Sequence, residues 1–133
     1  MITNTIQKEL HQLNEKQSID IEIIKIVDGF LIKFENGRSK DETFSISLTN
    51  ELMITLFKEY DKKSNEFIVK EELLINSVNF DFYRGNSLYF DIYFTNKLNK
   101  LTYQARMYVF YKTNNHGSLG DIYAFHLINN AIQ

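Results

Sequence analysis

An α+β domain is the fold class that the sequence predicts: an N-terminal helix, mixed strands with one central helix, and a C-terminal antiparallel meander, with the helices packed on one sheet face. Three observations lead there. Ile6, Leu10 and Leu13 recur at helical spacing near the start of the chain. Leu52, Met53, Leu56, Phe57 and Tyr60 make a second helical stripe in the middle. Beyond residue 74 apolar and polar residues alternate, which is the period of a strand with two unlike faces. Helices laid on one face of a sheet would bury all three patterns together.

Each element has its own signal. Residues 3–16 read as the first helix, with Asn4 and Gln7 as a capping pair. Ile19, Ile21 and Ile23 alternate as a strand, and the alternation slips at Ile24 and Ile26, which predicts a bulge or burial of both faces. Phe30, Ile32 and Phe34 form a return strand, and Phe44, Ile46 and Leu48 a third. Thr49 or Asn50 caps the central helix, which runs to about Tyr60. Residues 61–66 read as a charged connection and 67–70 as a short strand. Residues 74–83, 87–95 and 101–112 form the meander, and 121–128 read as its fourth strand, although Ile122, Phe125, Ile128 and Ile132 also fit a helix. Gly29, Gly37, Gly85, Gly117 and Gly120 all fall where turns are needed. The 133 residues hold no repeat and no Pro/Gly-rich linker, so one domain spans 1–133.

Composition excludes several function classes. Cysteine is absent, which removes disulfides, thiol nucleophiles and cysteine-held metals. A net charge of −2 offers no basic surplus for a polyanion. The start of the chain is neither basic nor apolar, and the longest apolar runs fall far short of the roughly 20 residues that span a bilayer. A cytoplasmic protein that neither enters a membrane nor binds nucleic acid is expected.

Parity indicates which sheet face is available. A three-residue connection, Arg84-Gly85-Asn86, keeps Val78, Phe80 and Phe82 on the same face as Leu88, Phe90, Ile92 and Phe94. A four-residue loop, Asn96 to Asn99, pairs Phe94 with Leu101 and adds Tyr103, Ala105, Met107 and Val109 to that apolar side. The opposite side then carries Tyr83, Tyr89, Asp91, Tyr93, Arg106, Tyr108 and Phe110, the candidate partner-binding residues. Asn79, Asp81, Thr102 and Gln104 accompany them. In this register Tyr89 faces Arg106 and Asp91 lies diagonal to it. Tyrosine and arginine give large, rigid contact area with a polar end, which suits a binding surface. If the chain's own helices lay over this side, the rings would be ordinary half-buried core.

The remaining motifs are weaker. Residues 57–73 resemble an EF-hand calcium loop with its entering helix: Asp61, Asn65, Ile68 and Glu72 match loop positions. Lys63 stands where a ligand belongs, and Glu66 where the turn needs glycine, so no metal site is assigned. His11, His116 and His126 have no metal-ligand spacing. Gly117-Ser118-Leu119-Gly120-Asp121 lacks the lysine of a phosphate loop and the elbow of a hydrolase. Asp81 and Asp91 beside Arg106 read as a structural ion pair rather than an acid/base pair. The aromatic strands lack the cationic cluster that single-stranded nucleic acid requires. The order helix, three strands, helix, strands resembles that of class I secretion chaperones, which implies a homo-oligomer that serves another protein.

The expected function is therefore a small non-enzymatic protein-binding module of the inhibitor or immunity-protein type, with no catalytic residue and no cofactor. The partner would be another protein, and a homodimer is compatible with the sequence. Two alternatives remain: a small-molecule-binding or weakly catalytic curved sheet enclosing Tyr89, Phe90 and Tyr103, and a homo-oligomeric chaperone-like protein that uses a strand edge or the tyrosine side.

Overall fold

β-Branched and aromatic residues at every second position dominate the architecture. The computed structural model describes residues 4–14, 17–36, 43–68, 72–84, 87–110 and 121–131. A first antiparallel meander, sheet A, runs in order through β1 (Asn4–Asn14), β2 (Gln17–Ile26), β3 (Gly29–Asn36) and β4 (Thr43–Thr49). Two short helices come next, α1 (Asn50–Tyr60) and α2 (Lys62–Ile68). A second meander, sheet B, runs through β5 (Leu73–Arg84), β6 (Ser87–Asn96), β7 (Thr102–Phe110) and β8 (Asp121–Ala131).

The chain is thus mostly β, and the expected α+β arrangement with an N-terminal helix is corrected. The first helical stripe belongs to β1, which pairs antiparallel with β2. Its register shifts between Thr5 and Gln7 and again between Gln12 and Asn14, so Ile6 and Leu13 are extra residues in the ladder. The spacing of four between Ile6 and Leu10 suits a strand as well as a helix, and the spacing of three between Leu10 and Leu13 ends on an extra residue of the ladder. The resemblance to secretion chaperones rested on that helix and goes with it.

The region after α1 is also corrected. Most of the expected connection and short strand is α2. Asp61 ends α1 and starts α2: its Oδ1 accepts from the Ser64 amide at 3.2 Å, an N-cap placed three residues before the donor. Lys70 and the loop from Gly117 to Gly120 lie outside the described residues, as do His116, Gly37 and Gly85.

Both sheets turn one face inward onto a single core, which α1 completes. Phe34 of β3 meets Phe90 of β6 edge to face, with centroids 5.6 Å apart, which joins the sheets. Phe57 of α1 meets Phe94 at 5.7 Å and Phe125 at 4.9 Å. All five rings are at least 99% buried, and each stabilises the fold by roughly 1.5–3 kcal/mol. β2 and β3 pair without a shift from Ile19 to Ile26, so the irregularity at Ile24 is not a bulge between them. Ile23 and Ile24 are instead both buried, on opposite faces. The β2–β3 turn is Val27–Asp28, and Gly29 absorbs its twist at φ +154°. A Cβ there would lie 2.0 Å from the Leu48 carbonyl oxygen, so only glycine fits. Among the described residues no helix is long and apolar enough to cross a membrane.

Candidate functional site

The outer face of sheet B is the side away from Phe57 and Phe34, through which α1 and sheet A pack. Strict alternation on β6 and β7 sends Leu88, Phe90, Ile92 and Phe94 inward with Tyr103, Ala105, Met107 and Val109. Tyr89, Asp91, Tyr93, Gln104, Arg106, Tyr108 and Phe110 point outward and are half-buried.

The register differs from the expected one by two residues. Tyr103 pairs with Phe94, Arg106 with Asp91, and Tyr108 with Tyr89. The connection is 97–101 rather than 96–99, because Asn96 closes the turn from the end of β6. Buried to 99%, Asn96 accepts on Oδ1 from the amides of Leu98 at 2.9 Å and Asn99 at 3.4 Å. Lys100 takes the left-handed position at φ +65°, a role more often filled by glycine or asparagine.

A bulge makes a second correction. β5 shifts register between Phe80 and Phe82, so the extra residue Asp81 exchanges the sides of the residues after it. Phe82, expected in the core, is 39% exposed and stacks on Tyr89 at 4.2 Å on the outer face. Tyr83, expected as a binding residue on that face, turns in and packs against the core opposite Leu88. The sequence carries no local signal for this bulge, since Phe82 and Tyr83 suit either side.

At the centre of the face lies one guanidinium between two carboxylates. Arg106 donates Nε and Nη2 to Asp91 Oδ1 at 3.0 and 2.9 Å, and Nη2 also reaches Asp81 Oδ2 at 2.7 Å. Its Cζ stands 5.6 Å from the Phe82 ring centroid. Burial works to lower the Arg106 pKa, but the hydrogen bond and charge of Asp91 and the charge of Asp81 outweigh it, with Tyr108 adding to them. The guanidinium pKa is held above its ordinary value, so Arg106 keeps its charge. The structural ion pair is present, and both carboxylates share it.

Rings continue from this centre across all four strands. Phe82 stacks on Tyr89, Tyr89 meets Tyr108 at 4.7 Å, and Tyr108 meets His126 at 5.3 Å and Tyr123 at 6.0 Å. Phe110 closes on Tyr123 at 6.5 Å, and the Tyr123 hydroxyl is hydrogen-bonded to Ser87 Oγ at 2.6 Å. The first rings of the ladder lie face against face, so they stand on edge and present rims rather than broad faces outward. Phe82, Tyr123 and His126 are members that sequence reasoning did not find. β8 hides its own contribution because its register with β7 shifts twice, around Ile128 and Tyr123.

The other sequence candidates fall elsewhere. Phe90 and Tyr103 are buried in the core while Tyr89 is on the far side, so these three do not enclose one cavity. A cleft of about 450 Å³ opens instead between the Val27–Gly29 turn, the start of α1 and Leu73–Ile75. Its cations are already engaged: Lys25 Nζ donates to the carbonyls of Ile26 at 2.6 Å and Gly29 at 3.2 Å, and Lys97 lies 4.0 Å from Glu72. In the segment resembling a calcium loop, Asp61 spends both oxygens on backbone amides, Ser64 and Leu127, Lys63 is exposed, and Glu72 lies beside Lys97. Among the described residues no three His, Cys, Asp or Glu side chains gather as a metal site. No family model, curated protein or solved structure matches the chain.

Proposed function

We propose that the chain is a non-enzymatic protein-binding module that captures and blocks one protein through the outer face of sheet B. The observation that carries this reading is the ring ladder from Phe82 to Phe110, set around the Asp81–Arg106–Asp91 network on the side that α1 and sheet A leave uncovered. Rigid rings lose little entropy on docking, and hydroxyls among them fix orientation. The network holds Arg106 in place before a partner arrives, which lowers the cost of binding.

The same geometry disfavours nucleic acid as the partner. Bases stack on open ring faces and track unpaired cations. Here Phe82 and Tyr89 cover each other, and Arg106 is balanced by two carboxylates. A protein surface, which meets ring rims and hydroxyls side-on, suits the face better. An inhibitor or immunity protein working in the cytoplasm would need no more than this.

The test starts with capture from native extract and identification by mass spectrometry, followed by titration of the purified partner. Tyr89→Ala and Tyr108→Ala are each expected to weaken binding about tenfold or more, as central aromatic residues do, with melting temperatures close to wild type. Lys33→Ala on the outer face of sheet A is the control and should bind normally. Unchanged affinity in both tyrosine variants would reject this face as the docking site.

A further inference from the structure

We propose that β4 pairs antiparallel with β4 of a second copy of this chain, about a two-fold axis at Ile46, to join two copies of sheet A into one eight-stranded sheet. The inference comes from how the four sheet edges are treated. An exposed edge is a row of unpaired backbone groups, and proteins blunt such rows with bulges, charges or covering elements. β1 and β5 carry two register shifts each. β8 carries two as well, and it is capped by side chains: the Tyr60 hydroxyl donates to the Ile122 carbonyl at 2.8 Å, and Asp61 Oδ2 accepts from the Leu127 amide at 2.7 Å.

Among the described residues β4 has no bulge, no charge and no side-chain cap, and the helix that contacts it is α1, which follows it directly. Its seven residues pair with β3 without a shift, and Thr43–Thr49 contains no charged residue and no proline. No other strand lies beside it among the described residues.

The sequence of the strand identifies the occupant. Thr43-Phe44-Ser45-Ile46-Ser47-Leu48-Thr49 reads nearly the same in both directions about Ile46. A two-fold interface must be self-complementary, and this strand is. Antiparallel pairing about Ile46 sets Ser45 opposite the partner's Ser47, Phe44 opposite the partner's Leu48, and Thr43 opposite the partner's Thr49. Small polar residues then meet on the outer face, where Ser45 and Ser47 are exposed. Apolar residues meet on the inner face, where Phe44 is only half-buried in one copy. With no charge on the strand, no like charges oppose each other. The outer face of sheet B takes no part, so this proposal and the partner-capture reading fail separately.

Sedimentation of the full chain tests it. Wild type should run as a concentration-dependent dimer. Ser45→Lys with Ser47→Lys sets two lysine pairs directly across the axis and should weaken the dimer at least about tenfold. Ser45→Glu with Ser47→Glu should do the same, and an equimolar mixture of the two variants should restore a dimer. A wild-type chain still monomeric at about 100 µM overturns the proposal, and would leave β4 to a strand from another protein. Variants that dimerise like wild type, or a mixture that stays monomeric, overturn it too. Should the charged variants fail to fold, Ser45→Cys with Ser47→Cys gives a chain whose only cysteines oppose those of the partner at about 5 Å between Cβ atoms. Oxidation should then yield a cross-linked dimer, and its absence overturns the pairing.

Discussion

Sheets A and B are the same four-stranded meander used in two ways. Each keeps the order of the chain, and each sends alternate apolar side chains into the shared core. They differ on the outside. On sheet A the outward register partners include Asp20 with Glu35, Glu22 with Lys33 and the apolar pair Ile24 with Leu31. On sheet B they are Asp91 with Arg106 and Tyr89 with Tyr108. Topology and core therefore say little about use. The outward half of each strand, which folding constrains least, is where the two sheets differ. The edges differ as well: β8 is bulged and capped, whereas β4 is straight and uncharged.

The comparison assumes that both sheets belong to one cooperative unit. Phe90→Ala tests this most severely, since Phe90 is fully buried and touches both Phe34 and Phe80. A loss of about 3–5 kcal/mol is expected for such a truncation. Amide signals of sheets A and B should disappear together on heating. Two separate transitions would mean two domains that merely touch. Gly29→Ala should cost somewhat less, about 2–3 kcal/mol, because a Cβ at φ +154° would collide with the Leu48 carbonyl. Its effect begins in sheet A, yet a cooperative molecule should again melt in one step, at a lower midpoint in chemical denaturation.

Much of this contrast was legible in the residues, and what escaped has a common physical cause. β3, β4, β6 and β7 are regular strands in which every second side chain is buried, so their period survives in the sequence. The bulged strands lose it. Ile6 and Leu13 sit at the shifts of β1 and imitate a helix, and Asp81 in β5 exchanges the sides of Phe82 and Tyr83. The central charge network was readable because parity fixes which residues share a face. The two-residue slip between β6 and β7 was not, because a buried asparagine and a left-handed lysine decide where the turn closes. Bulges gather on edge strands, so a reading based on period is weakest where a sheet meets its surroundings.

Asp61 offers the finest test of the difference between the edges. One of its oxygens caps α2 at Ser64, and the other holds the Leu127 amide of β8. Asp61→Ala removes both contacts, and a loss of about 1–2 kcal/mol is expected for a cap and a hydrogen bond of this kind. Hydrogen exchange at Leu127 should accelerate well beyond that of amides in β6 and β7, which keep their neighbours on both sides. Asp61→Asn discriminates further. It retains one acceptor oxygen, enough for Ser64 or for Leu127 but not for both, so its loss should fall between those of wild type and alanine. If asparagine costs as much as alanine, Asp61 contributes through its charge rather than through two simultaneous hydrogen bonds. The seal on β8 would then be electrostatic, and salt should loosen it.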